Sequence, residues 1–94
     1  MPTVVHGDFE WDEDKAASNL AKHGVSFEEA AFAMRDPVSL DFDDSLQPAN
    51  LVTLAASPTG RILYVVSAES NDRVRIISAR DATRQERRRY EEAE

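Results

Sequence analysis

The hydrophobic period of this chain changes once, at Asp36-Pro37, and that change limits the folds open to it. Before it lie two segments with helix punctuation. Asp12 stands as an N-cap ahead of Glu13 and Asp14, and Gly24 closes the segment, which predicts a helix over 13–23. Ser26-Phe27-Glu28-Glu29 is a capping box that opens a second helix over 27–35, stopped by Pro37 because the residue before a proline leaves the α region. After Pro37 the apolar residues fall in short runs, 38–42, 51–56, 62–68 and 74–79. Turn residues separate them: Asp43-Asp44-Ser45, Ser57-Pro58-Thr59-Gly60 and Ser70-Asn71-Asp72. Such runs read as strands, and short turns between consecutive strands imply an antiparallel meander. Thr83-x-x-Glu86 is a further capping box and starts a helix over 84–93. Residues 3–11 have the Val and aromatic content of one short strand broken near Gly7. The order β-α-α-β-β-β-β-α makes this an α+β fold: two N-terminal helices, a curved antiparallel sheet of about four to five strands and a C-terminal helix, in one domain over 1–94.

Composition narrows the chemistry. The chain has no cysteine, which excludes a disulfide framework, a thiolate zinc site, an iron–sulfur cluster and a Cys nucleophile. No apolar run approaches the roughly 20 residues of a membrane span, and no secretory signal precedes the first helix, so the expected location is cytoplasmic. The net charge of −7 is the reverse of a general nucleic-acid binder. It is unevenly spread, however. Residues 1–72 carry 13 acids and four bases, whereas 73–94 carry seven arginines (Arg73, Arg75, Arg80, Arg84, Arg87, Arg88, Arg89) against five acids. That end reads either as a solvated Arg/Glu helix or as a basic surface for RNA phosphates or an acidic partner.

Two blocks of residues frame nearly the whole chain. The first is Phe9-x-Trp11-Asp12-x-x-Lys15-x-x-x-Asn19-x-x-Lys22-His23-Gly24-Val25-x-Phe27-x-x-Ala30. The second is Arg75-Ile76-Ile77-Ser78-Ala79-Arg80-x-Ala82-Thr83-x-x-Glu86-Arg87-x-x-Tyr90. In order and spacing the pair resembles the BrnT family of toxins from bacterial type II toxin–antitoxin modules. The resemblance implies a RelE-like fold and a ribonuclease activity that halts translation, with no required metal or other cofactor. It also implies neutralisation by a BrnA-type antitoxin with a ribbon-helix-helix domain, through which alone the toxin reaches operator DNA. The chain departs from the family pattern in two places. The stretch 43–50 is short and lacks a Glu-Arg pair, and Ser67-Ala68-Glu69 stands where relatives often carry a His before Thr-Glu. These departures motivate an alternative, a catalytically weakened homologue acting as a binding partner and co-repressor.

Metal-independent RNA cleavage needs a base for the 2′-hydroxyl, an acid for the leaving oxygen and cations for the phosphorane. Lys22, His23 and Arg80 are the candidates for those roles, with Trp11, Lys15, Asn19 and Arg84 as RNA contacts. Steps of 100° put Ala16, Ala17, Leu20 and Ala21 on one side of the first helix and Lys15, Asn19 and Lys22 in a stripe on the other. The expectation is a cationic cleft between that helix and the arginine-bearing end of the sheet. Period-two alternation places Arg73 and Arg75 on the strand face opposite Arg80. Each candidate has a plainer role: His23 as complement to the helix dipole, the stripe as a wet face, Trp11 as a core anchor. Glu69 is a candidate base or an exposed turn residue. Asp41 and Asp43 share a strand face, but no third ligand stands at a recognisable spacing for a metal.

Overall fold

A computed structural model describes residues 2–93. The elements run β1 (Thr3–His6), β2 (Phe9–Asp12), α1 (Glu13–His23), α2 (Phe27–Ala33), β3 (Leu40–Asp43), β4 (Leu51–Ala56), β5 (Ile62–Ser70), β6 (Arg73–Asp81) and α3 (Arg84–Ala93). They form one six-stranded sheet in the order β1-β2-β6-β5-β4-β3. The expected single strand over 3–11 is a hairpin, because Gly7 at φ +63° allows a two-residue connection between His6 and Phe9. The sheet is mixed rather than antiparallel: β2 lies parallel to β6, Phe9 opposite Val74 and Glu10 opposite Arg75. That pairing joins segments more than 60 residues apart, and local patterning carries no trace of it.

The helix ends follow their caps. Asp12 Oδ1 accepts from the Asp14 N–H at 3.3 Å, and Gly24, at φ +70°, donates its N–H to the Leu20 carbonyl at 2.9 Å. Ser26 Oγ accepts from the Glu29 N–H at 3.0 Å, but the Glu29 carboxylate does not complete the box. It takes Arg61 instead, Nη2 at 2.6 Å and Nε at 2.8 Å, while Arg61 Nη2 also donates to the Gly24 carbonyl at 2.8 Å. One guanidinium thus ties the β4–β5 turn to the junction of the two helices. Helix α2 stops at Ala33, short of the expected 35, and Asp36 gathers the chain behind it. Asp36 accepts from the N–H groups of Val38 (3.1 Å) and Ala56 (2.9 Å) and from the Tyr90 hydroxyl, so 36–39 is a turn and β3 begins at Leu40, not Val38. Burial pushes the Asp36 carboxyl up, but the Tyr90 hydroxyl and the two N–H groups outweigh it and hold it below its ordinary value.

The sheet separates two apolar clusters. Trp11, Val25, Phe27, Leu63, Val65, Ile76 and Ala79 pack on the side of α1 and α2. Leu54, Ala82 and Tyr90, with Leu40, Phe42, Ile62 and Tyr64, pack on the side of α3. Helix α1 is rotated from the expected orientation. Its buried residue is Asn19, 7% exposed, whereas Leu20 is 50% exposed and Ala17 and Ala21 face solvent. Strand β2 pairs with β6 only as far as Arg75, leaving the β6 edge open at Ala79. The Asn19 amide fills it: Nδ2 donates to the carbonyls of Ala79 (2.8 Å) and Val25 (3.0 Å), and Oδ1 accepts from the Ala79 N–H (3.1 Å). A leucine at that place offers neither donor nor acceptor to a buried strand edge.

Asn19→Ala leaves those three backbone groups without partners and should lower stability by about 2–4 kcal/mol, read as a shift of the urea midpoint. Arg61, by its hydrogen bonds, holds Glu29 down to about 2 from the ordinary 4.5, against burial and with help from the Ser57 and Thr59 hydroxyls. Because the folded value is depressed, the pair stabilises above pH 4.5 and its contribution disappears as pH falls towards 2. Glu29→Gln should therefore be less stable than wild type at pH 7, with the gap narrowing between pH 4.5 and 2 in denaturant melts at a series of pH values.

Candidate functional site

Strand β6 does not alternate as expected. Val66 pairs with Ser78 and Ser67 with Ile76, so Ile77 has no partner and forms a β-bulge. The buried residues of β6, Ile76 and Ala79, are three apart and belong to the same core cluster, which strict alternation forbids. Arg80, Arg75 and Arg73 pair with Tyr64, Ala68 and Ser70, residues of β5 at even spacing and therefore on one face. The bulge thus brings Arg73, Arg75 and Arg80 together on the α3 side, where alternation had split them. The signal was in the sequence: two adjacent isoleucines, Ile76 and Ile77, break the period.

Each half-exposed arginine on this face is held by a carboxylate. The Arg80 guanidinium lies 3.9 Å over the Tyr64 ring. It donates from Nη1 and Nη2 to the two oxygens of Glu86 at 2.9 and 3.1 Å, and from Nη1 to the Asp81 carbonyl at 3.1 Å. Glu86 in turn accepts from the Thr83 N–H at 2.9 Å, and Thr83 Oγ1 accepts from the Glu86 N–H at 3.2 Å. The expected capping box forms and also fixes the plane of Arg80. Burial pushes the Glu86 carboxyl up, but Arg80 and Thr83 outweigh it and keep it below its ordinary value. Arg75 Nη1 donates to Glu10 Oε2 at 2.6 Å, joined by Ser70 Oγ at 3.0 Å, and Arg75 holds the Glu10 carboxyl low. Arg89 lies 4.6 Å over Phe42, and Arg84 is exposed in the first turn of α3. These are planar, oriented cations, partly exposed and in a form suited to oxyanions. Sequence reasoning missed Glu10, Tyr64 and the second task of Glu86.

The other candidates are elsewhere. Lys15 and Lys22 are exposed on α1, and His23 is half-buried in its last turn, beside the negative end of the helix. Helix α1 packs on the side of Ala79, and the Arg80 side chain leaves the strand on the opposite side. The Arg80 guanidinium is engaged by Glu86, the Asp81 carbonyl and the Tyr64 ring, not by Lys22 or His23. Trp11 is 2% exposed, edge-on to Phe27 at 6.0 Å, and presents no ring face to a base. As the bulkiest side chain of a small core, it is consumed by packing. Asn19 is likewise spent on the β6 edge and does not reach RNA.

A cleft of about 590 Å³ opens on the side of α2, between Met34, the 48–50 segment and the outer strands. Asp41, Asp43, Asn50, Thr53, Ser67 and Glu69 are among its lining residues; Lys22, His23 and Arg80 are not. Among the described residues, no group of three His, Asp or Glu side chains is placed to hold a metal ion.

Over residues 11–86 the chain matches the family model described as the ribonuclease toxin, BrnT, of type II toxin–antitoxin systems. It is similar to the 1.1 Å crystal structure of the Brucella abortus ribonuclease toxin BrnT, with a TM-score of 0.65 and 25% identity, across 79% of this chain and 94% of that one. No curated protein sequence matches it.

Trp11, the chain's one tryptophan, reports on its own burial. Its fluorescence should resist iodide quenching in the native protein and should not shift when single-stranded RNA is added; an RNA-dependent shift would return Trp11 to the binding surface.

Proposed function

Since the chain belongs to the BrnT family of ribonuclease toxins of type II toxin–antitoxin systems, we propose that it cleaves RNA without a metal and that its phosphate-binding surface is the arginine face of β6 and α3. The observation that carries this reading is the bulge at Ile77, which gathers Arg73, Arg75 and Arg80 on one side. Three hydrogen bonds hold Arg80 to Glu86 and Asp81, leaving further N–H donors of its fork for a phosphate. Held over Tyr64, that fork meets the phosphorane without first having to be ordered, which is the condition under which electrostatic stabilisation is strongest. Arg84 extends the cationic surface along α3. Proton transfer to and from the reacting oxygens falls to ionisable groups of the same face, Glu10, Glu86 and Tyr64, rather than to Lys22 or His23 on α1. In the cell, this activity halts translation in the cytoplasm until a ribbon-helix-helix antitoxin neutralises it.

A second reading has its own observation. Residues of both stretches at which the chain departs from the family pattern, Asp43 and Pro48-Ala49-Asn50 of the first and Ser67-Ala68-Glu69, line the same cleft. A homologue whose acid–base groups were lost from that cleft would bind its antitoxin and co-repress without cutting RNA.

The test is expression of the chain alone from an inducible promoter, with RNA integrity followed in cells and with purified protein. Wild type should arrest growth and cut RNA. Arg80→Ala should slow cleavage by about 10²–10³-fold with an unchanged circular dichroism spectrum. An unchanged rate removes Arg80 from the site, and intact RNA alongside tight antitoxin binding selects the co-repressor.

A further inference from the structure

The acidic cleft on the α2 side has no part in the arginine face, and its lining points to a ligand of opposite charge. Asp41, Asp43 and Glu69 line it, and among the described residues no Lys, Arg or His does. Behind the carboxylates stands Ser67, 2% exposed, whose hydroxyl makes no hydrogen bond among the described residues. No fully enclosed side-chain polar atom among those residues lacks a partner, so the Ser67 oxygen keeps its open surface, and that surface is the cleft. A buried hydroxyl aimed into an acidic cavity with nothing to bond is a place prepared for a donor. Thr53, also 2% exposed, donates to Asp41 Oδ1 at 2.8 Å and fixes that carboxylate. Met34, Leu51 and Val74 supply apolar wall for an alkyl stem.

The cleft adjoins an open edge. Among the described residues, strand β3 ends the sheet with β4 as its one neighbour, so its outer N–H and C=O groups form an open edge. Its side chains alternate: Asp41 and Asp43 line the cleft, while Leu40 and Phe42 join the cluster under α3. An added strand would place alternate residues beside each set.

We propose that this cleft receives the guanidinium or ammonium tip of an arginine or lysine from an extended peptide segment of a partner protein, paired along β3 in an alternating basic–apolar pattern. The site holds whether or not the arginine face cleaves RNA, since the two lie on opposite sides of the sheet.

The probe is the blocked peptide acetyl-Val-Arg-Val-Arg-Val-amide, titrated into the isotope-labelled full chain and followed by amide chemical shifts. The expected result is saturable shifts at Asp41, Asp43, Ser67 and Glu69. Replacing both arginines by neutral citrulline should weaken binding by about tenfold. Asp43→Asn with Glu69→Gln, both exposed and without hydrogen-bond partners among the described residues, should do the same and leave the circular dichroism unchanged. If that double variant fails to fold, the citrulline comparison on wild type decides alone. Equal binding of the citrulline peptide, or shifts confined to other strands, overturns the proposal. Agmatine alone binding as tightly as the peptide also overturns it, since that marks a small-cation site with no strand pairing.

Discussion

The fold turns on a backbone edge that a strand leaves unfinished. Strand β2 covers β6 only to Arg75, and a buried peptide group at Ala79 without partners would cost as much as several apolar contacts return. The Asn19 amide is the right size and carries both a donor and an acceptor, so it serves as a one-residue strand. The rotation of α1 follows. Asn19 must face the sheet, which turns Leu20 and its alanine neighbours outward and leaves Ala16 as the helix's apolar contact with the core. Lys15 and Lys22, four residues before and three after Asn19, share its side of the helix and stay exposed at the rim of that contact. Two hydrogen bonds to one backbone unit thus set the rotation of the helix and with it the placing of its cations.

A second local irregularity decides where the strand's cations can act. Without the bulge at Ile77, Arg80 would stand alone on the α3 side, with Arg75 and Arg73 turned into the α1–α2 core or its rim. With it, the strand buries Ile76 and Ala79 on one side and presents three arginines on the other. A guanidinium unpaired on a half-buried sheet face would be poorly ordered, and here each of the two half-exposed arginines has its own carboxylate, Glu86 for Arg80 and Glu10 for Arg75. Those carboxylates reduce the net charge of the face while fixing its geometry. Orientation is gained at the expense of raw potential, a trade that suits a surface recognising a phosphate in one position rather than attracting polyanions from afar.

What the sequence made legible was whatever depends on neighbours in the chain. Asp12, Gly24, Ser26, Thr83 and Glu86 mark helix ends because caps act over three or four residues, and all five do so in the structure. The α+β class and the family were readable for the same reason, as spacing within two blocks. The β2–β6 pairing was not, since it joins residues 9–10 to 74–75. Amphipathic reading of α1 failed because it ranks Leu above Asn for burial, which holds only when no backbone edge needs an amide. The site suffered most: periodicity assigns faces, but one extra residue in β6 reverses the assignment for everything beyond it.

The net charge of −7 looks at first like an argument against any RNA-facing role. Its spatial arrangement removes the force of that argument. The acidic N-terminal three-quarters of the chain supplies Asp41, Asp43 and Glu69 to the cleft on the α2 side, and the arginine-rich last quarter supplies β6 and α3 to the other. Between them stands a sheet whose core side chains exclude water. Dissolved salt screens solvent-exposed charges beyond roughly 8–10 Å at ordinary ionic strength, and Glu86 and Tyr64, in contact with Arg80, dominate its surroundings over the more distant exposed carboxylates. Each side therefore presents its own sign of charge, and the sum of charges along the sequence describes neither surface.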